Sequence, residues 1–332
     1  MKRDAKTVAP EQNTSYRKIV VTGGLGFVGA RVVSQLASMN NVEELVVFDR
    51  VTYAADFRRL GYPFSGKNLP ILRGDIRSTS DVYKALEGSD AVIHLAAETH
   101  VPRSIANPEL FFDVNLVGTE TLLNAACDLG VKKFIHVSTH QVYGSGRDLV
   151  RETAPLRPET PYATSKAMAE EAVMLAAQAG LTATILRPVT TVGAGQHAEK
   201  RIPRLVIEAL KRQRLSLESD GRTERSYLPV SDLSDAICQA LAWPSAQNLS
   251  VYNLGGEERL SDLRVAKKIF DLVGTQTGLR FAKERGHGET AGRLNDKAIR
   301  ALGYRQNGSF DDELKALCGA YLSRADRLLQ AS

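Results

Sequence analysis

Cysteine is scarce. Cys127, Cys238 and Cys318 are the only three in 332 residues. They are widely spaced and odd in number, which excludes a disulfide framework and points to a reducing, cytoplasmic setting. Long apolar runs are also missing: none approaches the roughly 20 residues that span a bilayer, so a membrane partner is not expected. The opening MKRDAKTVAPEQNTSYRK is too polar for a secretory leader and reads as a flexible lead-in. The charge excess is small, a formal +5. Its densest patch is Lys200, Arg201, Arg204, Lys211, Arg212 and Arg214, in a segment with helical apolar spacing. That patch is either a solvated helix face or a help for an anionic ligand. No aromatic residues interleave with these charges, so the stacking surface of a nucleic-acid binder is absent. No set of His, Cys and acidic residues has metal-ligand spacing, and no metal is expected. What remains, 43% apolar and 24% charged residues, is the composition of a folded globular chain.

Short apolar runs alternate with helix-length amphipathic stretches through the first half. Lys18–Thr22, Glu44–Phe48, Ala91–Leu95, Phe134–Val137 and Thr182–Leu186 read as buried strands. Val28–Met39, Val114–Leu129 and Tyr162–Ala179 read as helices. Strands separated by helices predict an α/β fold with a doubly wound parallel sheet. Beyond Pro188 the alternation fades. The expected organisation is a lead-in over 1–15, a sheet domain over 16–188, and a smaller α/β substrate-binding part over 189–332. Some segments of that last part are expected to return to the first domain.

One turn carries chemistry. Val20-Val-Thr-Gly-Gly-Leu-Gly-Phe-Val-Gly29 satisfies both G-x-G-x-x-G, on Gly24, Gly26 and Gly29, and G-x-x-G-x-x-G, on Gly23, Gly26 and Gly29. It follows a strand, opens a helix, and precedes Asp49 at the end of the next strand. That is the context of a Rossmann dinucleotide site. Gly23, Gly26, Phe27, Val28 and Gly29 would line the pyrophosphate, and the helix N-terminus would face it. Asp49 would accept from the adenosine ribose hydroxyls, which favours NAD over its 2′-phosphorylated form. Arg50 next to it is a residue that can hold such a phosphate. Asp75 and Ile76, at the end of the third strand, are candidates for the adenine.

Tyr162 and Lys166 are four apart in a helical segment and so share a face. An ammonium near a phenol favours the phenolate and lowers its pKa from about 10. A phenolate there can take the proton of a sugar hydroxyl while hydride leaves the same carbon. Ser138-Thr139 at a strand end lies upstream. His94 and His136 sit inside apolar strand runs and read as core.

TGGLGFVG, Asp75-Ile76, Asn115 and Tyr162-x-x-x-Lys166 together resemble the extended short-chain dehydrogenase/reductase family. Within it, nearly the whole chain is similar to the dTDP-glucose 4,6-dehydratases. The similar blocks include DRVTYAADFRRL (49–60), HLAAETHVPRSI (94–105), VNLVGTETLLNAA (114–126), STHQVYG (138–144) and PYATSK (161–166). AEKRIP (198–203), GRTERSYLPVSDLSDAI (221–237), YNLGG (252–256) and ERGH (284–287) continue it. The resemblance implies a nucleotide-diphosphate sugar substrate and an NAD that stays bound, takes hydride from C4 and later returns it. It places Leu95, Ala96 and Ala97 with the cofactor. On the substrate side it places Thr139, near the C4 oxygen with Tyr162, together with His100, Ser104, Thr190 and Lys200. Arg225 matches an arginine on the diphosphate, and Arg285 and His287 match a block near the nucleotide. It also implies a homodimer paired through helices, here Val114–Leu129 and Tyr162–Ala179.

The sequence departs from those relatives where the elimination is done. They carry Thr-Asp-Glu at Thr139-His140-Gln141, the aspartic acid protonating the departing C6 oxygen and the glutamate removing the C5 proton. A neutral amide cannot be a base, whereas His140 exchanges a proton near neutral pH. A family Asn-Asn-Tyr-Gly-Pro block is here Thr190-Thr191-Val192-Gly193-Ala194. C4 oxidation is therefore expected to survive. The downstream step is open between a divergent dehydratase acting through His140 and a 4-epimerase. A non-catalytic NAD-binding sensor is a third reading, though such proteins typically lose the tyrosine–lysine pair.

Overall fold

The first strand of this computed structural model, β1 (Tyr16–Thr22), ends in the glycine turn and passes directly into α1 (Phe27–Ala37). The described residues are 16–61, 69–146, 148–244, 248–282 and 292–323. The expected lead-in over 1–15, and Arg285 and His287, lie outside them. In chain order follow β2 (Val42–Asp49), β3 (Ile71–Arg73), α2 (Thr79–Leu86), β4 (Ala91–His94), α3 (Val101–Ala106) and α4 (Pro108–Phe112). Then come α5 (Gly118–Asp128), β5 (Lys133–Val137), α6 (Pro161–Gln178) and β6 (Ala183–Pro188).

The second half contains β7 (Thr190–Val192), α7 (Arg201–Leu210), β8 (Leu215–Glu218), β9 (Glu224–Pro229) and α8 (Val230–Ala240). It ends with β10 (Leu249–Leu254), β11 (Glu258–Ser261), α9 (Asp262–Val273), β12 (Leu279–Ala282), α10 (Lys297–Ala301) and α11 (Phe310–Leu322).

Seven strands form one parallel sheet in the order β10-β6-β5-β4-β1-β2-β3. The chain runs outward from β1 to β3, then returns to the other side of β1 through β4. This reversal opens a crevice at the carboxyl ends of β1 and β4, the place where doubly wound sheets hold ligands. β4 and β6 are buried along their whole length, as strands covered by helices on both faces must be. Each fully buried valine or leucine in such strands contributes on the order of 2 kcal/mol.

Beyond Pro188 the chain builds two small sheets, β11-β9-β7 and β12-β8. It also sends β10 back to pair with β6, and α8 back to pack on α1. The small part has its own core around Leu205, Leu215, Leu217, Val265, Ile269, Phe310 and Leu317.

Two local features set the site. α6 starts sharply, because Thr160 accepts from the Ala163 amide at 3.1 Å and Pro161 occupies its first position. The approach to α5 is a π-helical turn, Asp113–Val117, which carries Asn115 inward. Asn115 accepts from the Glu98 amide at 2.8 Å and donates to the Glu98 carbonyl at 2.9 Å and to Ser165 Oγ at 2.9 Å. One side chain thus pins the loop after β4 to α6. Among the described residues, no helix is long and apolar enough to cross a membrane.

Candidate active site

At Gly23 and Gly29 the turn has no room for a side chain. Gly23 has φ +67°, and a Cβ on it would lie 2.7 Å from the Ala96 amide nitrogen. A Cβ on Gly29 would meet the Gly23 carbonyl oxygen at 2.2 Å. α1 begins immediately, with no side-chain cap on its first amides. Those N–H groups and the positive helix end face the crevice, a cradle that fits a pyrophosphate. At the adenosine end, Asp49 accepts from the Leu25 amide at 3.0 Å and the Val51 amide at 2.8 Å. Each carboxylate oxygen keeps acceptor capacity beyond these bonds. Arg50 reaches Asp75 at 3.2 Å, and Arg77 pairs with the same carboxylate at 2.7 Å. Arg77 holds the Asp75 carboxyl below its ordinary pKa. Ile76 packs on Gly118, where a Cβ would come within 2.5 Å of it. These residues sit at the open carboxyl edge of β2 and β3.

A cavity of about 320 Å³ continues from the turn toward the small part. Its walls include Gly23, Gly26, Phe27, Val28, Gly29, Leu95, Ala97, Ser138, Thr139, His140, Gln141, Tyr162, Lys166, Thr190, Thr191 and Lys200. Residues from the segments just after β1, β4 and β5, from α1 and α6, and from β7 thereby meet in one space. Ala96 lies behind it, against Gly23. Tyr162 is buried and packs edge-on to Phe111, ring centroids 6.4 Å apart. Lys166 is fully desolvated, which lowers its ammonium to about 8, with Glu170 opposing the shift. Its Nζ lies 3.1 Å from His136 Nε2.

The other end of the cavity is Thr139-His140-Gln141, a 3-10 turn opened by Thr139, whose Oγ accepts from the Gln141 amide at 3.3 Å. His140 is buried, with Nδ1 3.0 Å from the Pro188 carbonyl oxygen. A carbonyl only accepts, so Nδ1 carries a proton.

Other residues expected on the substrate side sit differently. Lys200 lines the cavity and donates to the Thr99 carbonyl at 2.7 Å and Thr99 Oγ at 2.8 Å. Ser104 is buried in α3 and donates to the Val101 carbonyl at 2.7 Å. Arg225 is only 3% exposed, and its guanidinium meets Asp262 at 2.7 Å and Glu218 at 3.0 Å. Arg201 joins the same two acids. Neither Ser104 nor Arg225 is among the walls of the cavity. Arg204, Arg212 and Arg214 are exposed on and after α7.

One constellation was not singled out in the sequence. Glu199 accepts from the Tyr53 hydroxyl at 3.0 Å and from Arg103 at 3.1 Å, with His100 at 3.7 Å and His197 at 3.8 Å. Arg103 also stacks 4.2 Å above the Tyr53 ring. Tyr53, Glu98, His197 and Glu199 all line the cavity. Burial pushes the pKa values of His100 and His197 down. Burial and Glu199 push the Tyr53 phenol up. Most of these residues lie inside sequence blocks that were recognised. Their signal was further titratable groups close in sequence to His100 and Lys200, which the resemblance had already placed on the substrate side.

Residues 19–255 match the NAD dependent epimerase/dehydratase family. The chain belongs to that family. A dTDP-glucose 4,6-dehydratase from Actinoplanes sp. is 33% identical, with 93% of this chain and 98% of the relative covered. The low-salt glycan biosynthesis protein Agl12 of Haloferax volcanii is also 33% identical, covering 92% of this chain and 98% of its own. Among solved structures, the dTDP-glucose 4,6-dehydratase DesIV from Streptomyces venezuelae, with NAD bound, superposes with TM-score 0.85 at 34% identity. That match covers 93% of this chain and 98% of DesIV. The UDP-glucose 4-epimerase of Thermus thermophilus, also with NAD, gives 0.82 at 28% identity, covering 92% of this chain and 99% of the epimerase. NAD is the cofactor of this epimerase/dehydratase chain, in agreement with the glycine cradle and Asp49. A dehydratase and an epimerase both superpose closely, so the reaction type is decided by side chains.

Proposed function

We propose that the protein modifies a nucleotide-diphosphate sugar through transient oxidation at C4, as a divergent 4,6-dehydratase. The carrying observation is that Tyr162, Lys166 and Thr139 share one cavity with the glycine turn. Held by the Gly23–Gly29 turn and Asp49, NAD would supply the acceptor for the C4 hydride and the source of its return. Tyr162 Oη takes the proton of the C4 hydroxyl, and Thr139 Oγ steadies that oxygen. Lys166 Nζ supplies the positive charge that favours the phenolate. Gln141 has no proton to exchange, so His140 Nε2 is the remaining group of the Thr139-His140-Gln141 turn that can pass a proton between C5 and the C6 oxygen.

The second reading, a 4-epimerase, draws on the same Gln141: an epimerase needs the oxidising residues and no elimination base. A sensor without turnover would have no use for a buried, desolvated Lys166 beside Tyr162. Lys200 would meet the anionic end of the substrate, and Arg225 would join it only by giving up Glu218. Three free thiols, two of them buried, support a cytoplasmic location. Exposed Val117, Met168 and Leu175 on and beside α5 and α6 support a homodimer through those helices.

Incubation with dTDP-, UDP-, GDP- and CDP-sugars, read by mass spectrometry and NMR, tests the function. Loss of water is the expected product change. An unchanged mass with inverted C4 establishes the epimerase, and no change with any sugar overturns both readings.

A further inference from the structure

Across three neighbouring strands the sheet carries a row of buried polar side chains where apolar ones would pack more cheaply. Thr22 on β1 is in register with His94 on β4, and His94 with His136 on β5. All three are essentially without solvent contact. The first two are fully explained by their own bonds. Thr119 Oγ donates to the Asn115 carbonyl at 2.6 Å, so it accepts from His94 Nε2 at 2.9 Å. His94 Nδ1 then accepts from the Thr22 hydroxyl at 2.8 Å, which itself receives the Leu95 and Ala96 amides at 3.2 Å. His94 is a satisfied core histidine.

His136 is different. Its Nε2 lies 3.1 Å from Lys166 Nζ, and its Nδ1 is buried with no hydrogen-bond partner among the described residues. An ammonium has only donors, so Nε2 must be the unprotonated nitrogen and Nδ1 must carry the ring proton. A buried N–H without a partner is costly, and packing alone gives no reason to place it there. The groups facing this ring are Lys166 on α6 and His94 on β4, whose ring centroid is 5.2 Å away. Burial first, and then the Lys166 charge, favour a neutral His136.

We propose that His136 is a positioning residue for Lys166: its Nε2 accepts a hydrogen bond from the ammonium and fixes that charge on the Tyr162 face of α6. The acceptor opposes the desolvation that drives the ammonium toward its neutral form, with Glu170 as the other favourable group. The inference rests on the reading of Tyr162 and Lys166 as the oxidising pair, but its first test needs no substrate.

In NAD-bound protein, long-range proton–nitrogen spectra of the histidine rings are expected to show His136 protonated at Nδ1 and bare at Nε2. A ring protonated at Nε2 overturns the proposal. The Lys166 Cε resonances are then titrated in variants. His136→Gln places an amide oxygen near the Nε2 position and is expected to leave the Lys166 midpoint nearly unchanged. His136→Asn reaches only the Nδ1 position, and His136→Leu offers no acceptor; both are expected to lower the midpoint by about one pH unit. If Gln and Asn give the same midpoint, His136 is core packing and the proposal fails. With a sugar nucleotide that turns over, the alkaline limb of C4 oxidation follows the same order. Loss of activity in Tyr162→Phe with no effect of His136→Asn would overturn this inference alone. Full activity in Tyr162→Phe would overturn the oxidising pair itself.

Discussion

The two ends of the cavity are built to different standards. At the oxidising end, Tyr162 and Lys166 stand on an 18-residue helix with a sharp capped start. Asn115 ties that helix through Ser165 to the loop after β4, and the buried Arg187–Glu170 pair ties it to β6. At the other end, Thr139-His140-Gln141 forms a single 3-10 turn, and its titratable ring is anchored by a bond to Pro188. The first end is held by contacts that a substitution elsewhere would not disturb. The second can change its proton chemistry by replacing two side chains on an unchanged backbone. A family that both dehydrates and epimerises can therefore vary the second end while keeping the first.

If this contrast is real, the ends should respond independently. Tyr162→Phe should slow C4 oxidation by about 10³-fold while the protein still retains NAD, as read by stopped-flow absorbance of the reduced cofactor. His140→Asn should slow water loss by about 10²-fold yet leave cofactor reduction within about threefold. If both rates fall together, the turn is part of the oxidising machinery and the contrast fails. With Lys166 at about 8, cofactor reduction should decline as pH rises through that value, about tenfold between pH 7 and pH 9. The sign follows from the ammonium being the useful form. The smallest effect, several-fold, is expected from combining His140→Asp with Gln141→Glu, which should raise dehydration of dTDP-glucose. If the rate stays flat, Thr190 and Thr191 in the opposite wall set a different substrate.

Much of the oxidising end was legible in the sequence because it is local. The glycine turn, its strand and its helix are consecutive, and Tyr162 and Lys166 share a face at a spacing of four. The polar connections were not legible, because they join residues far apart in the chain. Tyr53, Arg103 and Glu199 meet from a loop after β2, from α3 and from the segment before α7. Arg225 carried the signal of an anion-binding arginine, yet Asp262 and Glu218 fold onto it from α9 and β8. His136 was read as core from its apolar neighbours, and it is as buried as that reading requires. What periodicity cannot encode is its ring nitrogen beside Lys166.

In the proposed chemistry oxidation is intact and elimination has moved onto His140. Turnover of the sugar-nucleotide panel in heavy water tests it most directly, with product mass and deuterium position read together. Loss of one water with deuterium gained at C5, both suppressed in His140→Asn, is the expected result. A product of unchanged mass and inverted C4, formed equally well by His140→Asn, would contradict it.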